Sequence, residues 1–345
     1  MASEAEPPSY EDLAEIEDEF GEIDTDIMRK QYELSKSVYA KRREVVSQIS
    51  TFWPLVLEQA PVEIDQYIQP QDSQLFAESL VNVEISRPEI SVGPEQLNIS
   101  SSSNPRSLRI QFEFNPNEFF DDTVLEKTFW YRRAKDGWTG LVSEPVSIHW
   151  KKGKDLTEGL TDLAVALFER RKKTGDMTNT GLPEYTALKK KTEQWNSMNT
   201  SFFTWFGWSS ARRWVSAEES QKASQEQDER KQRRRRGEKI EVPEPEEDDD
   251  TAEDDEPVIF HEAGEELAIS FAEDVWPNAI KYFTQAQESD EISDADFEEM
   301  DDKEDAEDGD EDDAPIDIRS LVQSKDKGGP RPQHSNGPPS KKQKR

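Results

Sequence analysis

The chain has 345 residues, of which 34% are charged and 32% hydrophobic, with a formal net charge of -33 and no cysteine. That is more charge and less apolar material than a uniformly packed domain carries, so part of the chain is expected to stay unpacked. The lack of cysteine excludes disulfides, thiolate nucleophiles and cysteine-based zinc sites, and a polyanion repels nucleic-acid phosphates while attracting basic proteins.

The charge is unevenly distributed. Residues 237–313 hold 34 acids and 3 bases, residues 1–236 hold 40 acids and 32 bases, and the last 32 residues hold 2 acids and 8 bases. The N-terminus shows no basic, apolar leader pattern, and no apolar run approaches the roughly 20 residues of a membrane span, so no membrane partner is expected. Residues 1–9 read as disordered.

In chain order, a helix is predicted over 10–53. Leu13, Ile16, Phe20, Ile23 and Ile27 recur at alternating spacings of 3 and 4, and the stripe resumes at Leu34, Val38, Val45 and Ile49. Such a near-heptad stripe needs a partner of equal length. One reading is a solvent-crossing connector or one arm of an intramolecular hairpin. The sharper reading is a self-pairing helix, with Ile16, Phe20, Ile23, Ile27, Leu34, Val38, Val45 and Ile49 as the dimerisation residues. Pro54 and Pro61 suit the first turns of short helices that follow.

An α/β domain is expected over 54–211. The run LVNVEI places Val81, Val83 and Ile85 on one face, and LRIQFEF does the same for Leu108, Ile110, Phe112 and Phe114. Asn115-Pro116 marks a turn, and LEKTFWYRR and VSIHW supply two more candidate strands, giving an antiparallel sheet with one covered face. Helical spacing returns at Leu156, Leu160, Leu163, Leu167 and Phe168, and a further helix is expected from Tyr185 to Trp195. The dense aromatics Phe202, Phe203, Trp205 and Phe206 read as core, joined by Trp276 and Tyr282.

Residues 212–262 carry the basic run RKQRRRR and then an acidic block, and read as a charged, disordered insertion. Residues 263–287 read as a final helix of the domain, and 288–345 as an acidic tail with a basic end. Asp301, Asp302, Glu304, Asp305, Glu307, Asp308, Asp310, Glu311, Asp312 and Asp313 are the candidate tail residues for a basic partner. Lys341, Lys342, Lys344 and Arg345 read as a nuclear-import signal. His149, His261 and His334 are far apart and lack metal-ligand spacing, and no phosphate-cradling glycine pattern occurs, so neither cofactor nor enzymatic activity is expected.

Six segments in order carry a family resemblance. They are ISTFWPLVLEQAP (49–61), RIQFEFNPNEFFDDTVLEKTF (109–129), IHWKKGKDLT (148–157), SFFTWF (201–206), VWPNAIKYF (275–283) and the acidic tail. The chain thereby resembles the nucleosome assembly protein family, closest to its SET/template-activating-factor branch. The resemblance implies an α+β fold, with a long dimerisation helix and an "earmuff" domain of antiparallel sheet packed on helices. It further implies an antiparallel homodimer and a histone chaperone of the nucleus, possible also in the cytoplasm, that works without ATP hydrolysis. Core histones are the implied partner. The other implied role is regulation of an enzyme, as a histone acetyltransferase cofactor or a protein phosphatase inhibitor. Two departures stand out: 68 residues separate SFFTWF from VWPNAIKYF where the branch has a short connector, and a basic end follows the acidic tail.

Overall fold

A computed structural model describes residues 10–91, 104–194, 200–210, 214–236, 258, 261 and 263–298. Helix α1 (Tyr10–Val46) spans 37 residues, about 55 Å at 1.5 Å per residue. It ends short of the predicted Trp53. The Ser47 hydroxyl turns back to the Glu44 carbonyl at 2.9 Å, a local bond that competes with helix continuation. The chain then bends so that Phe52 and Trp53 enter the core. Their burial, worth about 1.5–3 kcal/mol for a large side chain, outweighs one more helical turn. Ile49 therefore lies beyond the helix rather than in it.

Three short helices follow. In α2 (Phe52–Glu58) every residue from Phe52 to Leu57 is buried; α3 (Val62–Asp65) is a single turn; α4 (Pro70–Ser79) begins with Pro70 at its first position. The strands are β1 (Leu80–Ser86), β2 (Leu108–Phe114), β3 (Val124–Arg133) and β4 (Thr139–Ser143), with a single helical turn, α5 (Pro88–Ser91), after β1. They form one antiparallel meander in the order β1-β2-β3-β4.

Strand β2 obeys its alternation: Leu108, Ile110, Phe112 and Phe114 all point into the core. Strand β1 does not. A register shift between Leu80 and Asn82 puts Leu80, Val83 and Ile85 inside and leaves Val81 exposed, as a bulge does when it adds one residue to a strand. The fourth strand also differs from expectation. It is TGLVS, not VSIHW, because Asp136-Gly137 closes a hairpin in which Gly137 takes a positive φ of 94°. Pro145 has no N–H to extend the ladder, and VSIHW keeps a single bridge, Phe120 to Trp150.

Helices α6 (Leu160–Thr174) and α7 (Pro183–Gln194) pack on each other through Leu160, Leu167, Leu182, Tyr185 and Leu188. A short 3₁₀ helix, Phe202–Gly207, is wholly buried beneath the sheet. Phe202, Phe203, Trp205 and Phe206 are at most 1% exposed, so the aromatic run is core. Trp208 stacks on Phe129 at 5.7 Å, and Trp214 meets Phe168 edge-on at 4.9 Å.

The expected disorder over 212–262 is corrected in part: residues Ala217–Arg235 form helix α8. The Ser216 hydroxyl accepts the Glu219 N–H at 3.1 Å, capping the helix. Glu218 and Glu219 in its first turn and the arginines at its end both suit the helix dipole. Val215 and Ala223 are buried, and Ser220 Oγ accepts the Arg133 N–H at the end of β3. Helix α9 (Gly264–Ser270) continues through a π-helical segment, Phe271–Val275, into α10 (Trp276–Glu298), which runs past the predicted end at 287. The widened turn seats Phe271, Val275 and Ala279 in the same core.

Candidate functional site

The site begins where α1 meets the domain. Arg42 is buried at 8% exposure and donates to the Trp276 carbonyl. Its guanidinium lies 4.1 Å from the Trp276 ring centre and 4.7 Å from that of Tyr39. Trp53 stacks on Trp276, 5.6 Å between ring centres and within 6° of parallel, and its ring centre lies 5.7 Å from the guanidinium. Burial pulls the arginine down to about 10, still charged at neutral pH. Arg43 adds ion pairs to Glu84 of β1 and to Glu113 of β2, the latter at 2.7 Å. The C-terminal end of α1 is thus fixed to the sheet, and its direction away from the domain is set.

Along that projecting helix the predicted dimerisation residues stay in water. Ile16, Phe20, Ile23, Ile27, Leu34, Val38 and Val45 are 50–65% exposed, with Leu13 at 57% in the same row and Ile49 at 37% beyond the helix end. None of the described residues covers this row. Among the described residues no second helix lies along the row as the other arm of a hairpin. Each such side chain would gain about 1 kcal/mol if the remaining surface were removed from water.

Two buried polar groups, not singled out from the sequence, hold the domain together beneath the sheet. Asp72 sits at the start of α4 and accepts from Ser201 Oγ at 2.6 Å, Phe202 N at 2.7 Å and Gln69 N at 3.0 Å. Burial still raises its carboxyl from the ordinary 3.8 to about 6, against the hydrogen bonds that lower it. Lys127 is fully buried and donates to the carbonyls of Glu144, Phe206 and Trp208 at 3.1, 3.0 and 2.7 Å. Its surroundings lower its pKa through desolvation. Both carried a sequence signal: Gln69-Pro70-Gln71-Asp72 is a capping pattern, and Lys127 shares the inward alternation of Leu125 and Phe129. His261 is likewise buried, its ring tilted against that of Tyr67 with centres 4.8 Å apart, and both ring nitrogens are unpaired among the described residues. Desolvation, then Lys127, lowers it to about 3, so it is neutral.

Carboxylates also gather at the surface. His149, almost fully exposed, pairs with Asp122 at 2.8 Å, and its pKa is raised by that hydrogen bond and charge and by Asp121 and Asp162 nearby. Asp162 in turn is raised by burial and by Asp155. Lys151 and Lys154 answer part of this charge, at Asp121 and Glu118. Among the described residues no group of His, Asp or Glu is arranged to hold a metal, and no helix is long and apolar enough to cross a membrane. The tail candidates Asp301–Asp313 and the basic residues Lys341–Arg345 lie outside the described residues.

Fold and site together define a class: an α+β scaffold with a long, apolar-striped helix anchored to an antiparallel sheet and an aromatic core. A family profile described as Nucleosome assembly protein (NAP) matches residues 4–286, from α1 into α10, and the chain belongs to that family. A Schizosaccharomyces pombe protein named for nucleosome assembly is 31% identical over 304 residues, covering 84% of this chain and 86% of the relative. NAP1-related protein 2 of Arabidopsis thaliana is 27% identical over 206 residues, 57% of this chain and 63% of the relative. Among solved structures, that of Ccp1 aligns over 81% of this chain and 95% of its own, at 29% identity and a TM-score of 0.46. The Vps75 histone chaperone aligns over 80% and 97%, at 20% identity and 0.45.

Proposed function

We propose that the chain is a histone chaperone that acts as a homodimer and promotes nucleosome assembly and disassembly without ATP hydrolysis. The observation that carries the reading is the span of the family match, which runs the length of the scaffold, joined to a net charge of -33. Histones are basic, and a polyanion speeds their capture and neutralises charge that would otherwise collapse onto DNA. The exposed apolar row of α1 supports pairing with a second copy, since a stripe about 50 Å long finds no cover among the described residues. The carboxylates around His149 and the tail Asp301–Asp313 are the proposed histone contacts, and Lys341–Arg345 the proposed import signal for nuclear residence.

The test is a plasmid supercoiling assay with purified core histones and topoisomerase, in the absence of ATP. The reading predicts supercoils deposited in proportion to added protein. Supercoiling no greater than histones alone produce would overturn it.

A further inference from the structure

The inserted helix α8 does more than fill a gap between two family motifs. Its first half is built into the domain by Ser220 and Ala223, both buried, as is Val215 just before the helix. Its second half leaves the sheet and reaches α1. There Lys231 Nζ lies 3.1 Å from a Glu22 carboxylate oxygen and 3.6 Å from one of Asp18. At 3.6 residues per turn, Asp18 and Glu22 lie roughly 140–180° around α1 from Phe20 and Ile27. The contact is therefore on the flank opposite the apolar row and leaves that row open.

Between α1, the end of β3 and α8 lies a cleft of about 800 Å³. Six acids and five bases line it, and four of the acids, Glu17, Asp18, Glu22 and Asp26, come from α1. Asp26 is held by Arg29 at 2.6 Å, and Lys231 of α8 brings a charge to Asp18 and Glu22. Six of the seven residues 230–236 are basic, a composition that matches a histone tail. The helix that carries them has polar residues on nearly every face, and its outer half gains little from burial. The ion pairs that seat it are partly exposed, and such pairs are each worth about 0–1 kcal/mol. The rooted half is packed against the sheet, and Lys231 in the basic half is held by partly exposed ion pairs.

We propose that α8 is a displaceable strap: its basic end occupies the acidic flank of α1 and yields it to a Lys/Arg-rich segment of a bound histone. The inference rests on the chaperone reading and adds to it a resident competitor. It makes the flank of α1, not only the acidic tail, a contact for basic ligand. It also accounts for a basic run placed where it is, inside an otherwise acidic protein. Binding of the basic ligand then costs only the exchange of one set of charge pairs for another, which favours selectivity for ligands with several adjacent bases.

The experiment uses the full chain, with hydrogen–deuterium exchange measured with and without a Lys/Arg-rich synthetic peptide. Bound peptide is expected to speed exchange over 224–236 and leave α6 unchanged. The variant Lys231→Gln is expected to bind the peptide about three- to fivefold more tightly at low salt, the scale of one or two exposed ion pairs. Asp18→Asn with Glu22→Gln is expected to abolish both effects. Unchanged or slowed exchange of α8 under peptide overturns the proposal, as does equal or weaker binding by Lys231→Gln. Circular dichroism of each variant, with Lys231→Ala as a second removal of the charge, separates these results from misfolding. Binding of core histones by the unaltered chain is measured in parallel. If it fails, the chaperone reading falls; if it holds while α8 stays unmoved, only the strap falls.

Discussion

Folding carries Asp72 from water into a pocket where three donors meet it, and burial still weakens it as an acid. The folded carboxyl titrates near 6 and the unfolded one near 3.8. Between those values the folded state holds the proton that the unfolded state has lost. Its contribution to stability is therefore full below about 3.8 and is lost as pH rises through about 6. His261 runs the other way: its contribution is present above 6.5 and is lost as pH falls toward about 3. Comparing variants isolates one group from the other. Asp72→Asn keeps an acceptor for the two backbone N–H groups but cannot ionise. Measured by urea unfolding, wild type minus variant stability is expected to fall by about 2 kcal/mol between pH 4 and pH 7. A flat difference would show that Asp72 is solvated rather than desolvated.

At the scale of elements, the long helix and the strand β2 were legible because their periods are clean. The features that escaped are those where a local device overrides the pattern. The bulge at Leu80–Asn82 turns Val81 outward although the alternation of LVNVEI favours it inward. The hairpin of β3 and β4 is set by Asp136-Gly137, which the aromatic run VSIHW outshone in the sequence. Helix α8 was hidden by its charge: low hydrophobicity suggested disorder, while Ser216, Glu219 and a run of strong helix formers encoded a capped helix. Of the site, the apolar row of α1 was read residue by residue, whereas Arg42, Asp72 and Lys127 were not. Charged residues announce burial only through their register relative to apolar neighbours. The row makes a direct prediction. Glutamate in place of Ile23 and Leu34 sets charge into a surface that pairing would bury, at a cost of several kcal/mol per unpaired ion. Light scattering is expected to give a monomer for the double variant and a dimer for the wild type. A dimer that survives both changes would mean that another surface joins the copies.

For the whole molecule, charge and scaffold are separate contributions. Acidity is concentrated in residues 237–313, beyond most of the aromatic core, while the domain itself mixes acids with bases in pairs such as Lys172–Glu144 and Lys191–Glu158. A tail alone would bind anything basic; a scaffold gives it shape and valence. Removing the tail must respect the fold, because Ala286 of α10 is fully buried and a cut near 284 would damage the domain. Deleting residues 301–313 instead is expected to weaken core-histone binding several-fold at low salt without abolishing it, as measured by fluorescence titration. Unchanged affinity would remove the tail from the account.

On the proposed function, the acidic tail and the folded scaffold bind histones by charge and shape together. A titration of labelled core histones with the full chain, repeated from low to physiological salt and above, tests it most directly. At physiological ionic strength the screening length is about 8 Å, so long-range attraction fades while close contacts persist. Binding is expected to weaken steadily with salt yet remain measurable at physiological ionic strength. Loss of all binding there would contradict the proposed function.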